Sequence, residues 1–158
     1  MSYTYMQKLA NAPKIRDQKT RGVSASEIIK VEQRLNIKFP LAYKEFLLLA
    51  GEYTGGLQLF DGHSTLDMLA DVEVLGYLKE TLKENKLNIT RPFWVITEYG
   101  NFDQFTFFYL DENTEDPNVW GVTYNGDDEY YIYSLNKKFS EYIDTTIDKS
   151  IHFSKHGY

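Results

Sequence analysis

From Ser24 onward the apolar residues recur at helical spacing, then beyond Pro92 at every second position, and finally at helical spacing again. SASE opens the ordered part. The Ser24 hydroxyl can accept the amide three residues on while Glu27 reaches back, and Ile28, Val31 and Leu35 then share one face. This helix is predicted to end near Asn36. In KFPLAYKEFLLLAG, Pro40 preorganises a first turn, Tyr43, Phe46, Leu47 and Ala50 form an apolar stripe, and Gly51 suits a left-handed terminal position. Gly55 to Phe60, GGLQLF, alternates as a short strand would, and DGH breaks it. Asp71 then caps a helix running to about Asn85, with Val72, Leu75, Leu78 and Leu82 at helical spacing; the preceding STLDML reads as an extra turn or strand.

After Pro92 the runs FWVIT, QFTFFYL, VWGVTY and EYYIYS are β-branched and aromatic, and EYGN, DENTEDPN and NGDD separate them. They predict a four-stranded antiparallel meander. Ser134 offers an N-cap to a closing helix that carries Phe139, Tyr142, Ile143 and Ile147. This order implies an α+β fold: an antiparallel or mixed sheet of about five to six strands with helices packed around it. The first 22 residues lack a period and carry Lys8, Lys14, Arg16, Lys19 and Arg21, so they read as an arm or short helix. One domain is expected over 23–150, with a tail over 151–158.

Composition narrows the function. A chain of 158 residues fits one domain. The absence of cysteine removes disulfides and thiolate metal or redox chemistry. No run approaches a secretory apolar core or the ~20 apolar residues of a membrane span, so the chain reads as cytoplasmic, with no membrane partner. A net charge of -6 argues against a nucleic-acid ligand and for a basic protein partner.

The charge is unevenly placed. From Pro92 to Asn136, 45 residues hold nine acids and no Lys, Arg or His, so this window carries -9 and the rest of the chain +3. The same window holds 13 of the 25 aromatic residues, and a run such as Tyr130, Tyr131, Tyr133 must place rings on both faces of a strand. Two readings stand side by side: acids occupying turns above a covered sheet, or a docking surface of tyrosines and carboxylates for a basic protein. On the second reading the contact residues are Asp111, Glu112, Glu115, Asp116, Trp120, Tyr124, Asp127, Asp128, Glu129, Tyr130 and Tyr131.

Catalytic lookalikes fail on spacing. Asp61, His63 and Ser64 are the residue types of a hydrolase triad, but neighbours in one loop rarely reach its geometry, and no nucleophile elbow accompanies them. His152 and His156 lie in a terminal stretch that reads as solvated tail rather than metal site. DENTED starts like a calcium loop, yet Asp116 stands where Gly is required and Val122 where the bidentate Glu belongs. Gly55 and Gly56 form no phosphate loop. Asp127 and Asp128 follow a turn and read as exposed. The chain is therefore expected to be no enzyme and to need no cofactor or metal.

SASEIIKVEQRLNIKFPLAYKEFLLLAGEYTGGLQLF resembles the SUKH superfamily, also known from the yeast cell-wall assembly regulator. The pattern falls on Glu32 and Leu35, on Ile37, Phe39 and Pro40, on Tyr43, Phe46 and Leu47, and on Gly51 or Gly55 and Gly56. The VWGVTY strand and the SLNKKFSEYI helix look like the family's end, in which a Ser precedes a helix beginning with an aromatic, so the resemblance spans roughly Val23 to Ile147. One departure is the turn GNFDQFTF, where Gly100 and Asp103 are separated rather than adjacent. The resemblance implies function by binding: most bacterial members look like immunity proteins that neutralise a cognate toxin, frequently a nuclease, whereas yeast-like members act as regulatory hubs.

Overall fold

In the computed structural model, residues 2–11, 14–15, 17–58, 63–127 and 129–157 are described. The elements are α1 (Gln7–Asn11), α2 (Ala25–Leu35), α3 (Leu41–Ala50), α4 (Leu66–Leu69), α5 (Val72–Glu84), β1 (Phe93–Tyr99), β2 (Gln104–Tyr109), β3 (Asn118–Tyr124), β4 (Tyr130–Lys138) and α6 (Phe139–His156). The strands form one antiparallel sheet in the order β1-β2-β3-β4. The fold is α+β as expected, but the sheet has four strands among the described residues, not five to six. Gly55–Gln58 of the expected extra strand is turn and irregular chain, while Leu59 and Phe60 lie outside the described residues.

Both faces of the sheet are covered at β2, because Phe105, Thr106, Phe107 and Phe108 are buried in succession although alternate side chains point to opposite faces. On one side lie α3 and α6. The Trp94 indole N–H donates to the buried Tyr43 hydroxyl at 2.8 Å, and the rings of Phe108 and Phe139 pack against Tyr43. On the other side Phe105 meets Phe102, which meets Tyr77 of α5, and Leu78 of that helix is buried in the same core.

Several local readings hold, each for the reason expected. The capping box at Ser24 and Glu27 forms, and Asn36 closes α2 in the left-handed conformation at φ 53°. Asp71 caps α5 through the amides of Glu73 and Val74. Glu32 acts beyond its own helix: its carboxylate accepts the Phe39 amide at 2.7 Å and ties α2 to the entry of α3. STLDML yields α4 rather than a strand.

Three readings are corrected. Gly51 is right-handed at φ -69°; it is small because a Cβ there would meet the Leu47 carbonyl oxygen at 2.7 Å. Ser134 is a strand residue and Lys138 is the residue before α6. Between Ser134 and Lys138 the ladder bulges, with Asn136 at φ 56°, which carries the strand four residues past the expected cap. The expected tail continues α6, so His152 and His156 sit one turn apart with ring centroids at 4.4 Å.

The described residues ahead of α2 are in part anchored rather than loose. α1 buries Leu9, with Met6 just before it and Ile15 after it, and the buried Glu45 carboxylate of α3 accepts the amides of Thr4, Tyr5 and Met6 at 3.2, 2.8 and 3.1 Å. These three bonds replace the solvation that a carboxylate loses on burial.

Candidate functional site

A meander places its connections alternately at two ends. The turn after β1 and the turn after β3 share one end of the sheet, here called the rim; the turn after β2 and the start of α6 share the other, the base. β3 separates them by seven residues, about 20 Å of strand at 3.3 Å per residue. The described residues of the expected docking surface, all but Asp128, therefore do not form one patch.

At the base, Asp111, Glu112, Glu115 and Asp116 are each occupied by the protein itself. Arg91, one residue outside the base-free window, grips Asp111 with Nη2 to Oδ1 at 2.6 Å, and that hydrogen bond holds the Asp111 carboxyl below its ordinary pKa. Glu112 accepts the Asn118 amide, at 3.3 Å. Glu115 accepts the Tyr5 hydroxyl at 2.9 Å, which raises the Tyr5 pKa, and its backbone oxygen receives the otherwise unpaired Ala42 amide at the start of α3. Asp116 accepts both the amide and the hydroxyl of Ser140, at 2.9 and 2.6 Å, and so caps α6. The acids of this turn hold helices and neighbouring turns in place.

Trp120 is half-buried midway along β3 with its ring against Tyr109. Its indole N–H is buried without a hydrogen-bond partner among the described residues.

The rim is different. Asn125 folds the turn between β3 and β4 on itself: its amide donates to the Glu129 oxygen at 3.1 Å, and its own side-chain oxygen receives the amides of Asp127 and Glu129. This points the chain outward and leaves the carboxylates of Asp127 and Glu129 exposed, with no hydrogen bond or ion pair from another described residue. Asp128 lies outside the described residues. The Tyr124 and Tyr130 rings pack at a tilt with centroids at 5.3 Å, and the Tyr130 hydroxyl donates to Asp103 of the neighbouring turn. Tyr99, Tyr124 and Tyr131 are 47%, 38% and 46% exposed.

Of the expected contact residues, the structure thus places Tyr124, Asp127, Glu129, Tyr130 and Tyr131 at the rim, with the Tyr124 and Tyr130 rings on one face of the sheet and the Tyr131 ring on the other. It adds Tyr99 and Asp103, which the sequence placed in the acidic window without assigning them to the surface. Their signal was the turn EYGNFDQ, whose residues Gly100, Asn101 and Phe102 all have positive φ, at 65°, 57° and 67°. That left-handed run sets the separated Gly and Asp, and returns the chain so that Asp103 meets Tyr130. No Lys or Arg occurs in either rim turn.

The triad lookalike does not assemble among the described residues. His63 adds to the β1 edge through paired backbone bonds with Glu98, and its Nδ1 lies 2.7 Å from the buried Glu98 carboxylate rather than on Ser64. Asp61 lies outside the described residues. No cluster of three metal-ligating side chains is found among the described residues, and no helix of theirs is long and apolar enough to cross a membrane.

A family model described as SMI1 / KNR4 family (SUKH-1) matches residues 22–145. No curated protein sequence matches significantly.

Proposed function

The chain belongs to the SMI1 / KNR4 (SUKH-1) family, and on that premise we propose that it is a non-enzymatic immunity protein that binds and neutralises a basic, nuclease-type toxin domain. The observation that carries this reading is the rim. Asp127 and Glu129 carry exposed carboxylates that form no hydrogen bond or ion pair with another described residue of the chain, at the same end of the sheet as the partly exposed Tyr99, Tyr124, Tyr130 and Tyr131 and with no base in the same turns. Tyrosine supplies contact area at low entropic cost, and unpaired carboxylates accelerate encounter with a cationic surface. The base acids contribute to the long-range field but not to direct contact, since each is already engaged. Binding needs no cofactor and takes place in the cytoplasm, where the toxin would be met.

The test is recovery of the partner from the native host by affinity capture and mass spectrometry, followed by association kinetics. Reversing Asp127 and Glu129 to Lys should slow association with a captured basic toxin domain at least about tenfold and flatten its salt dependence, with the circular-dichroism spectrum unchanged. Unchanged kinetics would overturn the assignment of the rim.

A regulatory scaffold that engages several proteins is the second reading. What favours it is a separate groove of about 810 Å³ between α2 and the α4–α5 junction, floored by Val23, Val31, Leu66 and Val72 and sharing no residue with the rim. Recovery of several partners, with no toxin among them, would select this reading.

A further inference from the structure

The outer edge of β4 has no partner strand among the described residues. Edges of this length are usually blunted along their length or covered, because they template pairing with another chain. Here the regular part is Tyr130–Ser134, and the sequence around it, from Asp127 to Lys138, has an acidic head, an aromatic middle and a basic tail. The bond from the Asn125 amide to the Glu129 oxygen fixes the phase. Odd-numbered residues of β4 direct their backbone groups to β3, and Ile132 and Ser134 direct theirs to the open side.

A strand with opposite charges at its two ends complements itself when it is turned end for end. We propose that β4 is a homodimer interface, in which two copies pair antiparallel about a two-fold axis at Ile132 and form one continuous eight-stranded sheet. Such an interface is isologous, so each contact occurs twice. In this register Tyr131 of each copy faces Tyr133 of the other. These are the two most exposed rings of the strand, at 46% and 36%, and they already touch within one chain with centroids at 6.2 Å. Cross-strand aromatic pairs stabilise antiparallel ladders. Beyond Ser134 the bulge at Asn136 ends the ladder, and it is there that Lys137 and Lys138 of one copy lie beside Asp127 and Glu129 of the second. A parallel arrangement would instead set acids against acids and lysines against lysines. The pairing is argued from the edge and its charge order, not from the functional reading; because it occupies Asp127, Glu129 and Tyr131, the dimer and a toxin domain at the rim would exclude one another.

Sedimentation velocity of the full chain at low salt, from about 1 µM to about 1 mM, reads the association directly. A concentration-dependent dimer is expected. Reversing the head (Asp127→Lys with Glu129→Lys) or the tail (Lys137→Glu with Lys138→Glu) should weaken it about tenfold or more, because attraction becomes repulsion at both symmetric ends. Mixing the head-reversed and tail-reversed chains should give a heterodimer, and reversing head and tail together should restore homodimerisation to within about threefold. Circular dichroism checks that each variant is folded. A monomer throughout the range overturns the proposal. So does a dimer that ignores the head and tail reversals, or one that the fourfold reversal fails to rescue.

Discussion

Asp116 and Asp127 are both turn aspartates of the same acidic stretch, yet the structure predicts different consequences on replacing each by Ala. Asp116 accepts the Ser140 amide and hydroxyl at 2.9 and 2.6 Å in the first turn of α6 and is mostly buried from solvent. Loss of a helix-capping carboxylate costs about 0.5–2 kcal/mol, and the second charge-assisted bond adds to that, so Asp116→Ala should destabilise by about 2 kcal/mol. For a domain of this size that is about 4–8 °C in melting temperature. Asp127 is exposed and its carboxylate accepts nothing from the described residues, so Asp127→Ala should fall within about 0.5 kcal/mol of the parent. Removing one negative charge from a chain at -6 acts equally in both variants and cancels in the comparison. Equilibrium urea unfolding of the three proteins, with slopes compared to exclude denatured-state effects, measures the difference. Equal stability losses, or a loss below about 0.5 kcal/mol for Asp116→Ala, would refute the division of the acids into structural and free sets.

Two further outcomes follow from buried groups. Glu45→Gln keeps one acceptor oxygen but turns a donor toward the Thr4 amide, so it should cost about 1–3 kcal/mol, and hydrogen exchange at Tyr5 and Met6 should accelerate before that of α3; unchanged exchange at those two amides would show that the N-terminal segment is held by other contacts. Burial pushes the Tyr142 hydroxyl up to about 12, from an ordinary 10, and pushes Tyr43 up as well. Because the folded values lie above the unfolded one, stability from these groups is complete below pH 10 and falls as pH rises from 10 towards 12, by about 2 kcal/mol for Tyr142 alone. Ultraviolet absorbance at 295 nm should show a late, cooperative ionisation step coincident with unfolding, and Tyr142→Phe should move that step to higher pH.

The elements whose determinants are local were legible in the sequence. The Ser24 box, the Asn36 stop, the Asp71 cap and the change to period two after Pro92 all involve residues a few positions apart. What was hidden depends on distant partners. The sequence displays Asp116 as one acid among nine, and only the return of the chain 24 residues later brings Ser140 to it. Arg91 looks unrelated to the base-free window because it precedes it, yet it faces Asp111 across the β1–β2 pair. Ser134 is a good cap by type, but a bulge three-dimensionally continuous with Asn118 on β3 prolongs the strand. Gly51 illustrates the same limit: its smallness answers to Leu47 rather than to a backbone angle.

The separation of the two ends of the sheet has an evolutionary consequence. Substitutions at Asp111, Glu115 or Asp116 are coupled to folding, so that turn can drift only together with Arg91, Tyr5 or Ser140. In the turn between β3 and β4, the Asp127 and Glu129 carboxylates hold no hydrogen bond or ion pair with another described residue of the same chain, so their charge can change without disturbing the core. On the rim-binding reading proposed above, libraries at those two positions are where altered recognition would be selected at least cost to stability.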